Sequence, residues 1–256
     1  QWREEVWAVL GGQPQSYAPQ IGLRRSFEQD GLHVETLSLE VEPGMEVGAI
    51  FARPVAQDGA QPATIFLGGH DDKRAAVLSG YAAEAAKSGP VLVLDVRGSG
   101  ESFKHQNHLT SDSVVLGRPL FGQQVWDLIQ TRNYLATRSD VAADQIAVHG
   151  VESGGLVALF AAALAPGYVS VEVEEVLASY QYFLEDDQPQ PIALCVPGVL
   201  EVIDIPQVAA LVAPTPLKVD GLIGYGKARL EGPEDPWAFT NAAYALLDVA
   251  SNYAAK

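Results

Sequence analysis

The sequence predicts a mixed α/β protein: a mostly parallel twisted sheet with an antiparallel N-terminal hairpin and helices on both faces. Three observations carry this. Short apolar runs at Ala63–Leu67, Val91–Asp95 and Gln145–Val148 are separated by segments of helical pattern, as when strands buried on both faces alternate with crossover helices. An alternating stretch at His33–Glu42 comes before them and turns back at Pro43-Gly44 onto Val47–Arg53. The 256 residues, 48% of them hydrophobic, are enough for one large core, and one domain over the whole length is expected.

The elements follow in order. Residues 1–30 read as an irregular or helical extension. After the hairpin, Pro54 and the polar loop Gln57–Gln61 break the ladder, because proline has no N–H to give it. Arg74–Ser88 is alanine-rich and stops at Gly89-Pro90, a helix with a stated end. Leu120–Thr137 places Val125, Leu128, Ile129 and Leu135 on one face of a helix, with Trp126 as core bulk. Gly154–Leu164 reads as an apolar helix, Val169–Ala178 as a strand with an acidic patch, and Pro216–Val219 as a short strand. Pro236–Ala255 reads as a closing helix. No repeat or heptad is present.

Charge excludes whole classes of partner. With 16 Lys+Arg against 32 Asp+Glu, the net charge of −16 repels phosphate backbones and anionic lipid surfaces. Neither nucleic acid nor membrane is an expected partner. The longest apolar run, Leu156–Ala165, is about half of the roughly 20 residues a bilayer span needs. A single cysteine, Cys195, forms no internal disulfide and cannot supply a cysteine-rich zinc site. The chain begins at Gln1 without methionine or signal sequence, which reads as a mature form or a piece of something longer.

The chemistry-bearing stretch is Val148-His149-Gly150-Val151-Glu152-Ser153-Gly154-Gly155, where a strand meets a helix at a turn of small residues. A nucleophile elbow holds one side chain in a strained backbone conformation and tolerates only small neighbours two residues to either side. Centring on Glu152 puts Gly150 and Gly154 in those places. Centring on Ser153 puts Val151 in a crowded one.

Several other motifs stand in the same order and spacing as in a known group: Glu42-Pro43-Gly44-Met45, Phe66-Leu67-Gly68-Gly69-His70 and Asp95-Val96-Arg97-Gly98-Ser99-Gly100-Glu101-Ser102. Leu116-Gly117-Arg118-Pro119-Leu120 follows, leading into the helix of Asp127. Then come Val196-Pro197-Gly198-Val199-Leu200 with Asp204-Ile205-Pro206, and Ala213-Pro214-Thr215-Pro216-Leu217. On these, from about Val34 to Ala255, the chain resembles the α/β-hydrolase superfamily, and within it the bacterial acetyl xylan esterase-like, prolyl-oligopeptidase-related esterases.

The resemblance implies an α/β-hydrolase fold and ester hydrolysis by a serine at the elbow, an acid after a later strand and a histidine after the last strand. By position, Glu152 stands where the serine would be, and Asp220 stands near the acid. The five histidines are His33, His70, His105, His108 and His149, so none follows the elbow. Glu152, Ser153 and Asp220 are therefore the candidate catalytic residues of a degenerate triad. Gly69, His70, Asp71 and Ser153 are the oxyanion pocket, whose donors are backbone N–H groups. Arg97 and Glu101 shape the rim within an ion-paired, glycine-jointed loop.

The expected function is a weakly active or non-catalytic esterase-like domain. The alternative is an active ester hydrolase using Ser153 or Glu152, with a histidine from another loop, domain or later segment. A small ester or carbohydrate ligand, or a partner domain, fits either reading. No cofactor and no metal is expected, although His70-Asp71-Asp72 with Glu152 can be drawn as a metal cluster. The resemblance makes a secreted or periplasmic setting plausible.

Overall fold

The computed structural model describes residues 2–68, 76–77, 80–100, 105–185, 192–224, 228–231 and 235–255. Helix α1 is Trp2–Val9, and nine strands follow: β1 (Gln20–Gln29), β2 (Leu32–Glu42), β3 (Met45–Pro54), β4 (Gln61–Leu67), β5 (Val91–Asp95), β6 (Val141–Val151), β7 (Val171–Leu177), β8 (Leu217–Ile223) and β9 (Tyr253–Ala255). Between them run α2 (Ala83–Ser88), α3 (Gln106–Val115), α4 (Leu120–Leu135), α5 (Ser153–Leu164), α6 (Tyr182–Glu185), α7 (Ile205–Ala210) and α8 (Ala238–Leu246).

The strands form one sheet in the order β1-β2-β3-β5-β4-β6-β7-β8-β9. β1, β2, β3 and β5 pair antiparallel in turn, and every pairing from β5 across to β9 is parallel. The chain steps from β4 one way to β5, then back past β4 to β6. The switch point therefore lies between the carboxyl ends of β4 and β6, where open α/β sheets form a crevice. Of the described residues, no helix is long and apolar enough to cross a membrane.

Strand alternation sorts the side chains onto two unlike faces. On one face Leu39, Phe51, Ile65, Leu92, Val148, Val173 and Val219 pack with Phe121, Leu128, Phe160 and Trp237 in the main core. On the other, Val34, Ile50, Phe66, Val91 and Val93 pack under Ala76, Val77, Ala82 and Ala86. That second cluster stops at β4. Further along the same face, the row Phe66, His149, Glu172, Lys218 runs straight across β4, β6, β7 and β8, and Glu174 stands opposite Asp220. This half of the sheet is polar and half-exposed, which is what the acidic patch of the β7 sequence encodes.

Two ion clusters fasten the N-terminal strands to α4. In the first, the Arg97 guanidinium bonds Asp127 through Nε (3.0 Å), Gln123 Oε1 through Nη1 (2.7 Å) and Glu42 Oε1 through Nη2 (3.0 Å). The Arg97 backbone N–H also donates to Asp127 (2.9 Å), and Arg118 holds the second Glu42 oxygen (2.9 Å). Asp127 is wholly buried and Arg97 nearly so. Burial opposes the charge on Arg97, but Asp127 and Glu42 more than offset it and raise its pKa above the ordinary guanidinium value. In the second, Arg138 bonds Glu35 (2.8 Å) and Asp140 (2.7 Å) and lies 3.8 Å from the centre of the Phe51 ring.

The structure departs from the sequence reading in four places. Gln20–Gln29, expected to be part of the N-terminal extension, is the edge strand β1, whose residues up to Ser26 are all exposed, Ile21 and Leu23 included. Gln106–Val115 is helical although its sequence is polar, because Thr110 and Ser113 are its buried residues. Within Arg74–Ser88, residues 74, 75, 78 and 79 lie outside the described set, and Ala83–Ser88 is helix. The closing helix ends at Leu246, and Tyr253–Ala255 forms a ninth strand beside β8.

Removing one partner of the buried pair should be costly. Asp127→Ala removes the wholly buried partner and leaves only the half-buried Glu42 against the Arg97 charge, and urea unfolding should show a loss of about 3 kcal/mol, whereas Asp127→Leu with Arg97→Met should recover most of it. At Asp140, burial raises the carboxyl pKa but Arg138 lowers it further, so the net shift is below the ordinary 3.8. A depressed pKa contributes stability that is fully present above 3.8 and lost as pH falls through the folded-state value. Acid titration of unfolding should therefore show a slope in that window that Asp140→Asn reduces.

Candidate functional site

β6 ends and α5 begins at Glu152, whose backbone sits at φ 53°, ψ −122°. A non-glycine residue with positive φ carries strain of order 1–3 kcal/mol and persists only where its surroundings impose it. Here they do so through three glycines. A Cβ on Gly150 would lie 2.5 Å from the Gly154 carbonyl oxygen, one on Gly154 would lie 2.7 Å from the Leu67 oxygen, and one on Gly155 would lie 2.4 Å from Val176 Cγ1. The start of α5 thus presses directly on the ends of β4, β6 and β7. Only backbone without side chains fits that closely, and the chain turns sharply at Glu152, the central one of the three residues between Gly150 and Gly154.

The turn puts Glu152 in solvent at the switch point, while Ser153 and Gly154 are half-buried in the first turn of α5. The Glu152 N–H donates to the Glu174 carbonyl (2.8 Å), which ties the elbow to β7. Among the described residues, neither the Glu152 carboxylate nor the Ser153 hydroxyl has a side-chain hydrogen-bond partner. The first N–H groups of a helix have no partner within it, so the α5 N-terminus offers donors to an oxygen placed there. Facing the elbow from the end of β4 is Gly68, where a Cβ would meet the Tyr81 ring at 3.5 Å and Val151 Cβ at 3.8 Å. Sequence reasoning did not single out Tyr81. It sits in an alanine-rich segment with no motif, and only the fold brings it to this edge.

None of the four described histidines is hydrogen-bonded to Glu152 or Ser153. His149 points to the polar sheet face, where its Nε2 bonds Glu174 (2.9 Å) and its ring packs on Phe66 at 5.3 Å. His33 is on β2 beside Ser26 and Glu35, and His105 and His108 belong to the α3 region. His70, with Gly69, Asp71, Asp72 and Glu101, lies outside the described residues. Asp220 is in the middle of β8, three residues short of the strand's end, and its carboxylate pairs with Arg229 (2.6 Å) on the polar face. Arg97 is engaged in the buried cluster. It borders a cavity of about 170 Å³ between the start of β3, the turn after β5 and α3, rather than the elbow itself.

One group among the described residues has the make-up to hold a cation: His149, Glu172 and Glu174, whose ligand atoms lie within 4.8 Å of one another. In this arrangement Glu174 is bonded to His149 and Glu172 to Lys218.

No family model matches the sequence. Among curated proteins, the chain is 27% identical over 176 residues to "Putative hydrolase YtaP" of Bacillus subtilis, covering 63% of this chain and 59% of that protein. The match therefore spans well under two thirds of the relative. Among solved structures, a Bacteroides fragilis protein described as a putative acetyl xylan esterase superposes with a TM-score of 0.82 at 16% identity, over 99% of this chain and 72% of the other. Acetyl xylan esterase 1 of Thermoanaerobacterium gives 0.64 at 19% identity, over 98% and 93%. Glucuronoyl esterases are further structural neighbours. With the strand order and the elbow, these likenesses establish the α/β-hydrolase fold.

If the three glycines impose the Glu152 conformation, changing residue 152 itself should relieve it. Glu152→Gly should raise stability by about 1 kcal/mol in urea unfolding, because glycine adopts positive φ without strain. Gly150→Ala should destabilise by several-fold more in the same assay, since its methyl has no space.

Proposed function

We propose that this chain is an α/β-hydrolase domain of carbohydrate-esterase type that holds a small ester or carbohydrate ligand, or a partner domain, without turning an ester over. The observation that carries this reading is the carboxylate of Glu152 at the strained turn where a nucleophilic hydroxyl is expected. A carboxylate attacking an ester carbonyl would expel an alkoxide and form an anhydride, a less stable acyl compound than the ester it came from. A hydroxyl instead exchanges one ester for another, so the step is nearly balanced and a base can drive it. The carboxylate therefore makes a poor acyl acceptor and a good hydrogen-bond acceptor for sugar hydroxyls.

Two features support retention of binding without turnover. The α5 N-terminus supplies backbone donors that do not depend on the identity of residue 152. Among the described residues, no imidazole is hydrogen-bonded to Glu152 or Ser153 to act as base. A second reading, ester hydrolysis through Ser153 or Glu152 with a histidine from another loop or chain segment, is favoured by the position of Ser153, one residue from the turn at the crevice.

Kinetics with p-nitrophenyl acetate and acetylated xylo-oligosaccharides separates the two. The expected outcome is no turnover above that of Glu152→Ala, and no labelling by a fluorophosphonate probe. Turnover near 1–10 s⁻¹, ordinary for an enzyme, with loss in Ser153→Ala or Glu152→Ala, would establish the second reading. Asp220→Asn should leave ligand binding unchanged.

A further inference from the structure

The polar half of the sheet holds a donor set that the elbow does not use. On that half-exposed face His149 of β6 stands directly across from Glu172 of β7, and Glu174 lies one pleat further on, across from Val151. Alternate residues of a strand share a face, so the imidazole and both carboxylates project from adjoining positions of two paired strands. One ligand atom from each lies within 4.8 Å of the others. Two ligands at about 2.1 Å from one zinc ion are at most about 4.2 Å apart. Rotation of the two glutamate side chains therefore closes the set around an ion without moving the backbone.

Charge on this face points the same way. Glu174 stands directly opposite Asp220 of β8, and like charges so placed repel. Asp220 pairs with Arg229 (2.6 Å), and Glu172 pairs with Lys218 of β8. For Glu174 the one side-chain partner among the described residues is the His149 ring, 2.9 Å away at Nε2. A neutral imidazole gives it a hydrogen bond but no positive charge. These three carboxylates thus face two permanent cations, and the shortfall falls at Glu174, where the imidazole nitrogen also lies.

The donor types select the ion. Mg²⁺ and Ca²⁺ take oxygen ligands, six or more of them. Zn²⁺ accepts nitrogen and oxygen together, and its open sites have three protein ligands with water in the fourth position. The Phe66 ring of β4 packs 5.3 Å from the imidazole on the side away from Glu172, an apolar wall that holds it toward the carboxylates. Lys218 is the competitor, since its ammonium holds Glu172. With side chains 49% and 33% exposed, that pair is a weak one, which an ion engaging two carboxylates and a nitrogen displaces.

We propose that His149, Glu172 and Glu174 form a Zn²⁺ site, the histidine giving a nitrogen, each glutamate one oxygen, and water completing the coordination. The ion clasps β6 to β7 beside the elbow, whose Glu152 N–H is bonded to the Glu174 carbonyl (2.8 Å). The assignment does not rest on the function proposed for that elbow.

Calorimetric titration of the whole chain with ZnCl₂, after dialysis against EDTA, tests it, with MgCl₂ and CaCl₂ as the oxygen-preferring comparisons. One Zn²⁺ should bind per chain, at least tenfold more tightly than either comparison ion, and should raise the thermal unfolding midpoint by mass action. His149→Gln and Glu174→Gln should each weaken binding at least tenfold. Lys218→Met, which removes the competing ammonium, should tighten it severalfold, and His33→Gln, beside Glu35 on β2, should leave it unchanged. Should His149→Gln fail to fold, Glu174→Gln and Lys218→Met decide. Absence of Zn²⁺ binding at about 1 mM free ion, equal binding of Mg²⁺ or Ca²⁺, undiminished binding by Glu174→Gln, no tightening by Lys218→Met, or loss of the tight site in His33→Gln or His70→Gln would each overturn the proposal.

Discussion

The contact on which the rest of the site depends is backbone against backbone, where the first turn of α5 meets the ends of β4, β6 and β7. Gly150, Gly154 and Gly155 have no room for a methyl group, and their closeness forces Glu152, midway between Gly150 and Gly154, into a conformation that side chains resist. The position of Glu152 is thus set by packing of its neighbours, independently of its own chemistry. The same packing aligns α5 with the sheet, and through Phe160 and Leu156 with the main core. A crevice built this way can keep its shape while the residue at its apex changes. That separates the scaffold, shared with esterases of low sequence identity, from the reaction those esterases are named for.

The motifs that made the sequence recognisable act mostly through structure. Glu42, Arg97, Arg118 and Asp127 come from four separate stretches and meet in one ion cluster, buried at Asp127 and Arg97 and open to solvent at Arg118. Asp204 caps α7 with a reciprocal bond from Gln207 and also accepts from the Tyr180 N–H (2.8 Å) and the Ser179 hydroxyl. A buried charge holds its place only with every partner present, so such residues leave a strong trace in sequence. They mark how the strands are joined and say little about substrate.

Legibility followed the strength of local physics. β5 was readable residue for residue, because a strand buried on both faces is a continuous apolar run, and the elbow was readable from its glycines. β1 was not, since an exposed edge strand buries too little to pattern its sequence. Nor was β9, three residues long and held by β8. Asp220 was placed near a strand end because Pro216–Val219 ended early. Gly221, at φ +82° opposite the left-handed Glu175, continues the strand through a local irregularity that reads as a stop.

The outermost strand carries one more implication. β1 offers a row of open backbone groups to the surroundings, and its neighbour pairing skips Arg24, leaving two consecutive arginines on an irregular, strongly hydrated rim. A flat, apolar rim would template addition of another copy and growth into fibrils. This one resists it through charge and misfit at Arg24 and Arg25.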